Sequence, residues 1–213
     1  MRIWTTSTAA RRLAALGATA ALALGGAALP AAAAPAAPAA ASVAASRPAH
    51  ADPRALAAIT SLATERLALA DKVAAAKYGT DAPIDDPARE RQILDDVAKR
   101  SADLGIDPAY AQSVFRDQIE ANKVVQRGLY ARWDAHPEQR PTERPDLAKE
   151  VRPQLDRITT QLLDALRNVA PTRTSPACTP LLTAAALHDA RARGFDALHL
   201  EALRRALPSV CAS

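Results

Sequence analysis

Three Asp-Pro pairs, Asp52-Pro53, Asp86-Pro87 and Asp107-Pro108, each stand directly before a run in which apolar residues return every three or four positions. An aspartate at a helix start accepts free backbone N–H groups of the first turn. Proline fits the next position, because its missing N–H is not needed there. The pairs therefore predict three helix starts. The first helix runs without a breaker to Tyr78, with Ile59, Ala63, Arg66, Ala70, Val73 and Lys77 along its inward stripe. The second carries Arg89, Ile93, Val97, Ser101 and Leu104 and stops at Gly105, a residue suited to a C-terminal cap. The third extends to about Ala135, with Phe115, Ile119, Asn122, Gln126, Leu129 and Trp133 facing inward. No segment alternates at period two, so no sheet is expected and the fold class is all-α.

Beyond the Pro-rich loop His136 to Pro145, a fourth helix is expected to begin near Asp146, with Leu155, Ile158, Leu162, Leu166 and Val169 as its core face. Pro153 lacks a backbone N–H, so either it lies in the first turn, with the true start near Arg152, or it kinks the helix. Two shorter helices, roughly 181–193 and 197–207, follow and are split by Gly194, with Asp196 as a cap. The sum is one domain of about six helices built on three long ones, ending in a helical hairpin.

Charge separates this domain from what precedes it. The first fifty residues hold four arginines and no acid, so of the 27 basic residues 23 remain, against 23 acidic. The basicity belongs to the leader, and the rest of the chain, near neutral, shows no nucleic-acid surface. Residues 1–34 read as a signal peptide: a basic stretch ending at Arg11-Arg12, an apolar run from Leu13 to Leu29, then small residues with cleavage near Ala33 or Ala34. Gly25-Gly26 within the apolar run favours removal, so no membrane contact is expected after cleavage; an uncleaved anchor is the competing reading. The ordinary secretory route and the twin-arginine route both remain open. The protein is thus expected to be exported, to a periplasm or to the outside. Residues 35–50 are rich in Ala and Pro without an apolar face, and read as a flexible linker to a domain spanning 51–213.

Export makes a disulfide the natural expectation for the only two cysteines, Cys178 and Cys211, which would close the C-terminal hairpin on itself. A metal site would need further ligands. His50, His136, His188 and His199 show no compact ligand spacing and are expected to face solvent, so no metal is predicted.

The informative anomaly is polar residues on apolar lines. Arg66 and Lys77 are eleven residues apart, three turns plus about 20°, so both project from one face. Arg89 and the amides Asn122 and Gln126 repeat the pattern on the neighbouring helices. Burying cations without carboxylates costs several kcal/mol per ion. Either these cations reach water or pair with Glu65, Asp71, Asp85 or Asp86, or an anionic ligand supplies the missing charge. For three cations and two amides at one inward phase, a ligand pocket is the stronger reading. The chain has no GxSxG elbow, no Gly-rich phosphate loop, no HExxH and no nucleophile with an adjacent base. A cationic pocket can still stabilise negative charge that develops on an oxygen.

The residues Glu65-Arg66-Leu67, then Lys77, then Pro83-Ile84-Asp85-Asp86-Pro87-Ala88-Arg89-Glu90-Arg91, then Asp117-Gln118-Ile119-Glu120-Ala121-Asn122 through Gln126 resemble the all-helical chorismate mutase family, over about residues 55 to 160. The leader, the loop before Asp146 and the cysteine pair resemble its secreted (gamma) subclass. That resemblance implies an entirely helical homodimer with each active site inside one chain. It also implies rearrangement of chorismate to prephenate, a step of aromatic amino acid biosynthesis in the shikimate pathway, with no cofactor.

By the same resemblance Arg66 matches a carboxylate clamp, and Lys77 a contact to both a carboxylate and the ether oxygen. Gln126 matches the second donor to that oxygen, and Asn122 a polar contact to a carboxylate. Arg89 matches a further substrate-side cation, while Asp86 and Glu90 match the region that receives the ring hydroxyl. A last arginine comes in that subclass from the helix after the Pro-rich loop. Arg152 is the candidate, although its spacing from Asp146-Leu147 is one residue longer than the pattern and Pro153 follows directly. Some members of the family carry a glutamate where this chain has Gln126. The alternative reading is a non-catalytic exported helical protein that binds a partner helix in an exposed apolar groove, or an anionic metabolite.

Overall fold

The computed structural model describes residues 51–212; the signal-peptide and linker readings for residues 1–50, and His50, lie outside them. Each Asp-Pro pair caps a helix as its chemistry dictates. Asp52 accepts the N–H of Arg54, Asp86 that of Arg89 and Asp107 that of Ala109, each at 2.9 Å. The three helices are α1 (Pro53–Lys77), α2 (Pro87–Asp103) and α3 (Pro108–Ala135). Gly105 ends α2 at φ 72°, a left-handed conformation that costs glycine little. There the N–H of Ile106 reaches back to the carbonyl of Ser101 at 2.9 Å.

Pro153 takes the first of its two alternatives, the first turn of a helix that starts at Arg152. Residues Leu147–Val151 form a π-helical turn, and α4 (Arg152–Val169) starts immediately afterwards with Pro153 in its first turn. Then come α5 (Cys178–Ala192) and α6 (Ala197–Ala206), and among the described residues there is no strand.

Helices α1 and α3 form the centre. α1 packs on α3, α4 and α5, while α3 also packs on α2 and α6. Ile59, Ala63, Leu67 and Ala70 of α1 and Val114, Phe115, Ala121 and Val125 of α3 belong to one buried cluster, all at most 1% exposed. Alternating small and large residues lets the two backbones approach, and each fully buried Leu, Ile or Phe contributes about 1.5–3 kcal/mol.

The C-terminal hairpin is joined to α3 through side chains. Gln118 Nε2 donates to the carbonyl of Ala206 at 2.6 Å, Tyr110 Oη to that of Val210 at 2.9 Å, and Asp117 accepts the N–H of Ser209 at 2.8 Å. Cys178 and Cys211 are bonded, with Cα atoms 5.8 Å apart, so α5 and α6 are clamped together.

His136 and His188 face solvent, but His199 does not. It is buried where α6 meets α1, with Nδ1 2.7 Å from Asp196 and Nε2 3.0 Å from Asp71. The expectation of a solvent-facing residue fails here because two carboxylates compensate the burial of its polar ring.

Candidate active site

One cavity, of about 340 Å³, opens between the middle helices and the start of α4. α1 contributes Arg66 and Lys77, the rim before α2 contributes Asp86, and α2 contributes Arg89 and Glu90. α3 contributes Asn122 and Gln126, and α4 contributes Arg152. All eight residues expected to bind a ligand therefore line a single space. Val73, Ile84, Ile93, Ile119, Leu147, Val151 and Leu155 supply its apolar wall. A volume of this order suits a small metabolite, and apolar walls with a few aimed polar groups are what such a site needs.

The sharpest electrostatic feature is Arg66. It is 7% exposed, and its Nε and Nη1 atoms have no hydrogen-bond partner among the described residues. Burial lowers its pKa to about 10, an effect that nearby Asp156 partly opposes. Lys77, half-buried, donates from Nζ to the carbonyl of Pro83 at 2.8 Å. Burial again depresses its pKa, against the pull of Asp86, Glu90 and Asp85.

Four acids that could have neutralised these cations are engaged elsewhere, and Asp156, the acid nearest in effect to Arg66, forms no ion pair with it among the described residues. Glu65 is paired with Arg157 and Asp71 with His199, while Asp85 is held by Arg127 and Asp86 caps α2. The cavity thus holds cationic donors with free N–H groups, the arrangement that an anionic ligand completes.

On α3, Gln126 is 3% exposed and donates from Nε2 to Asn122 Oδ1 at 2.7 Å. An amide nitrogen carries two hydrogens, so this bond leaves one N–H to offer a ligand.

Two of the expected cations are less buried than their place on the stripe implied. Arg89 and Arg152 line the cavity but are exposed along much of their length. The reason is position: each stands in the first turn of its helix. There the guanidinium of Arg89 can reach Gln92 Oε1, 3.3 Å away.

The π turn explains how Arg152 reaches the cavity despite its longer spacing. The N–H of Arg152 bonds to the carbonyl of Leu147, closing an i to i+5 ring that accommodates one residue more than an α turn.

Sequence reasoning missed Lys123. It is 7% exposed, lines the same cavity, and its Nζ lies 2.8 Å from both Glu90 and Glu120 and 3.4 Å from Asp85. Its i, i+3 partner Glu120 was visible in the sequence, but that spacing ordinarily marks a solvated helix face. The cross-helix partner Glu90 was not readable from spacing.

A sequence profile of the family described as chorismate mutase type II matches residues 57–127. The chain is 37% identical to a secreted chorismate mutase of Mycolicibacterium smegmatis over 160 residues, covering 75% of this chain and 88% of that protein. It is 33% identical to a secreted chorismate mutase of Mycobacterium tuberculosis over 156 residues, covering 73% of this chain and 78% of that one. Among solved structures, a chorismate mutase from Burkholderia thailandensis superposes with a TM-score of 0.70 at 44% identity, covering 74% of this chain and 99% of that chain. One from Burkholderia phymatum superposes with a TM-score of 0.71 at 33% identity, covering 76% and 98%.

Proposed function

The chain belongs to the chorismate mutase type II family, and on that premise we propose how its cavity isomerises chorismate to prephenate. The reaction is a [3,3] rearrangement: one C–O bond breaks as one C–C bond forms, through a chair-like arrangement of a dianion. No atom enters or leaves and no proton needs to move. The protein's task is to hold the reactive conformation and to stabilise the charge that grows on the ether oxygen.

In this reading Arg66 clamps one carboxylate with its planar fork, and Arg89 and Arg152 complete the cationic surround. Lys77 Nζ, with two hydrogens beyond the one given to Pro83, reaches a carboxylate and the ether oxygen. Gln126 gives that oxygen a second donor through its remaining N–H, and Asn122 fixes the Gln126 amide while contacting a carboxylate. Asp86 and Glu90 receive the ring hydroxyl.

The observation that carries the proposal is Arg66, buried in the cavity with two nitrogens that no side chain or carbonyl among the described residues satisfies, nearby Asp156 included. The test is direct. A protein comprising residues from about 40 onward is mixed with chorismate, and absorbance loss is followed with prephenate identified as product. Failure to form prephenate would overturn the reading.

The organisation around the domain belongs to the same proposal. Residues 1–34 direct export and are removed, residues 35–50 link, and residues 51–213 form the catalytic domain. Two of the relatives are named as secreted, and no helix among the described residues is long and apolar enough to cross a membrane. Delivery to a periplasm or to the outside is read out by locating the protein and sequencing its mature N-terminus. The family resemblance supports a homodimer in which each protomer owns its active site. Sedimentation of the purified protein tests the dimer.

A further inference from the structure

Lys123 is a buried ammonium whose three hydrogens face three carboxylates. Both oxygens of Glu90 lie within 2.9 Å of its Nζ, Glu120 Oε1 is at 2.8 Å and Asp85 Oδ1 at 3.4 Å. With its donors so occupied it has none to spare for a ligand, although it stands at the cavity wall beside Asn122. One of its partners, by contrast, belongs to the site. Glu90 lines the cavity and its Oε1 accepts the N–H of Asp86 at 3.3 Å. Asp85 sits in the rim between α1 and α2, where it is also held through both oxygens by Arg127 at 2.7 Å. Two residues before Asp85, the carbonyl of Pro83 takes the Lys77 ammonium.

We propose that Lys123 is a positioning residue for the isomerisation: from inside the bundle it fixes the Glu90 carboxylate and latches the Pro83–Asp86 rim over the cavity. This rests on the catalytic reading given above. The charges facing Glu90 are Lys77 from α1, Asp85 and Asp86 from the rim, Arg89 on its own helix, and Lys123, Glu120 and Arg127 from α3. Of these Lys123 is the cation placed against both of its oxygens. Burial by itself would weaken the Lys123 charge, but the hydrogen bonds to Glu120 and Glu90 outweigh that and raise its proton affinity, so it stays charged across the working range. Without it, Glu90, Glu120 and Asp85 would crowd together beside a dianionic ligand, and Glu90 would gain proton affinity.

The test compares Lys123→Met, Lys123→Arg and Asp85→Asn with the wild-type protein, measuring kcat and KM from pH 4.5 to 8.5 alongside thermal melting. For Lys123→Met, kcat/KM is expected to fall by about 10- to 100-fold, as misplacement of a binding wall does. An inflection absent from the wild type should appear in its pH profile as Glu90 titrates, and Lys123→Arg should restore most of the activity and remove the inflection. Asp85→Asn alters an exposed residue outside the cavity lining, so folding is not at stake. Loosening the rim should raise its KM by roughly threefold with kcat little changed, the scale of one exposed ion pair. A folded Lys123→Met enzyme with wild-type kinetics and profile overturns the proposal. Should that variant not fold, an unchanged KM in Asp85→Asn overturns it. Either failure leaves wild-type turnover and its loss in Lys77→Ala intact, whereas failure of the catalytic reading removes those as well.

Discussion

Gln126 Nε2 donates to Asn122 Oδ1 at 2.7 Å across one turn of α3, so the amide plane of Gln126 is set before any ligand arrives. An amide donates at any ordinary pH, and this one is buried. Turnover is therefore expected to vary little between about pH 5 and 8. Gln126→Glu should move the optimum to acid. A carboxyl donates to the ether oxygen only when protonated, and as pH rises through its pKa it becomes a second negative charge beside the developing one. Rate against pH for both proteins checks this, and a wild-type rate that collapses above pH 6 contradicts the role.

Lys77→Ala should lower kcat/KM by about 10²–10³-fold or more, the loss seen on removing one preorganised donor to a developing oxyanion. Steady-state kinetics decide it. Near-normal turnover would remove Lys77 from the mechanism.

How much of this was legible beforehand divides along physical lines. The Asp-Pro pairs placed the starts of the three long helices to the residue, because a cap and its proline act within one turn. The phase of Arg66, Lys77, Asn122 and Gln126 placed them together, because helical periodicity fixes direction over several turns. Burial depth at helix ends was not legible: Arg89 and Arg152 lie in first turns, where a long side chain has solvent beside it. Lys123 was missed, and His199 was expected in solvent, for a different reason. Each is buried only because carboxylates from another helix meet it, Glu90 for one and Asp71 for the other, and spacing within a single helix cannot report such partners.

The Cys178–Cys211 bond closes a loop with a sequence separation of 33, which in the chain-entropy account stabilises the fold by roughly 3–4 kcal/mol. Replacing both cysteines by serine should lower the urea midpoint accordingly. No residue of α5 or α6 lines the cavity, so turnover at 25 °C should persist in the protein that remains folded. An unchanged midpoint would mean that the hairpin holds without its clamp.

His199 should make stability depend on pH in a defined direction. Its hydrogen bond to Asp71 raises its pKa above the usual histidine value; burial opposes this, and Asp196 reinforces it. A raised folded pKa means that the imidazolium's contribution is fully present below the unfolded value of about 6.5 and is lost as pH climbs through the folded one. Asp196, held below the usual carboxylate range by His199 and Arg132 despite its desolvation, stays ionised throughout that window. Melting His199→Gln beside the wild type at pH 5.5 and pH 8.5 checks the sign: the gap between them should be widest at the lower pH. A gap that widens toward alkaline pH would overturn the assignment.

Arg66 should show that the site trades stability for binding. Its guanidinium is buried with Nε and Nη1 unsatisfied and only Asp156 pulling its pKa back up, so in the empty protein it is a net cost. Arg66→Met keeps an unbranched stem of similar reach and removes the charge. The ligand-free variant should be more stable than the wild type by roughly 1–4 kcal/mol, while kcat/KM falls by at least about 10²-fold. A dianionic inhibitor adds the third measurement. It should raise the melting temperature of the wild type, whose buried cation it neutralises, and leave the variant nearly unmoved, because binding stabilises only the state that can bind. A variant that melts below the wild type without ligand would mean that the protein already satisfies Arg66.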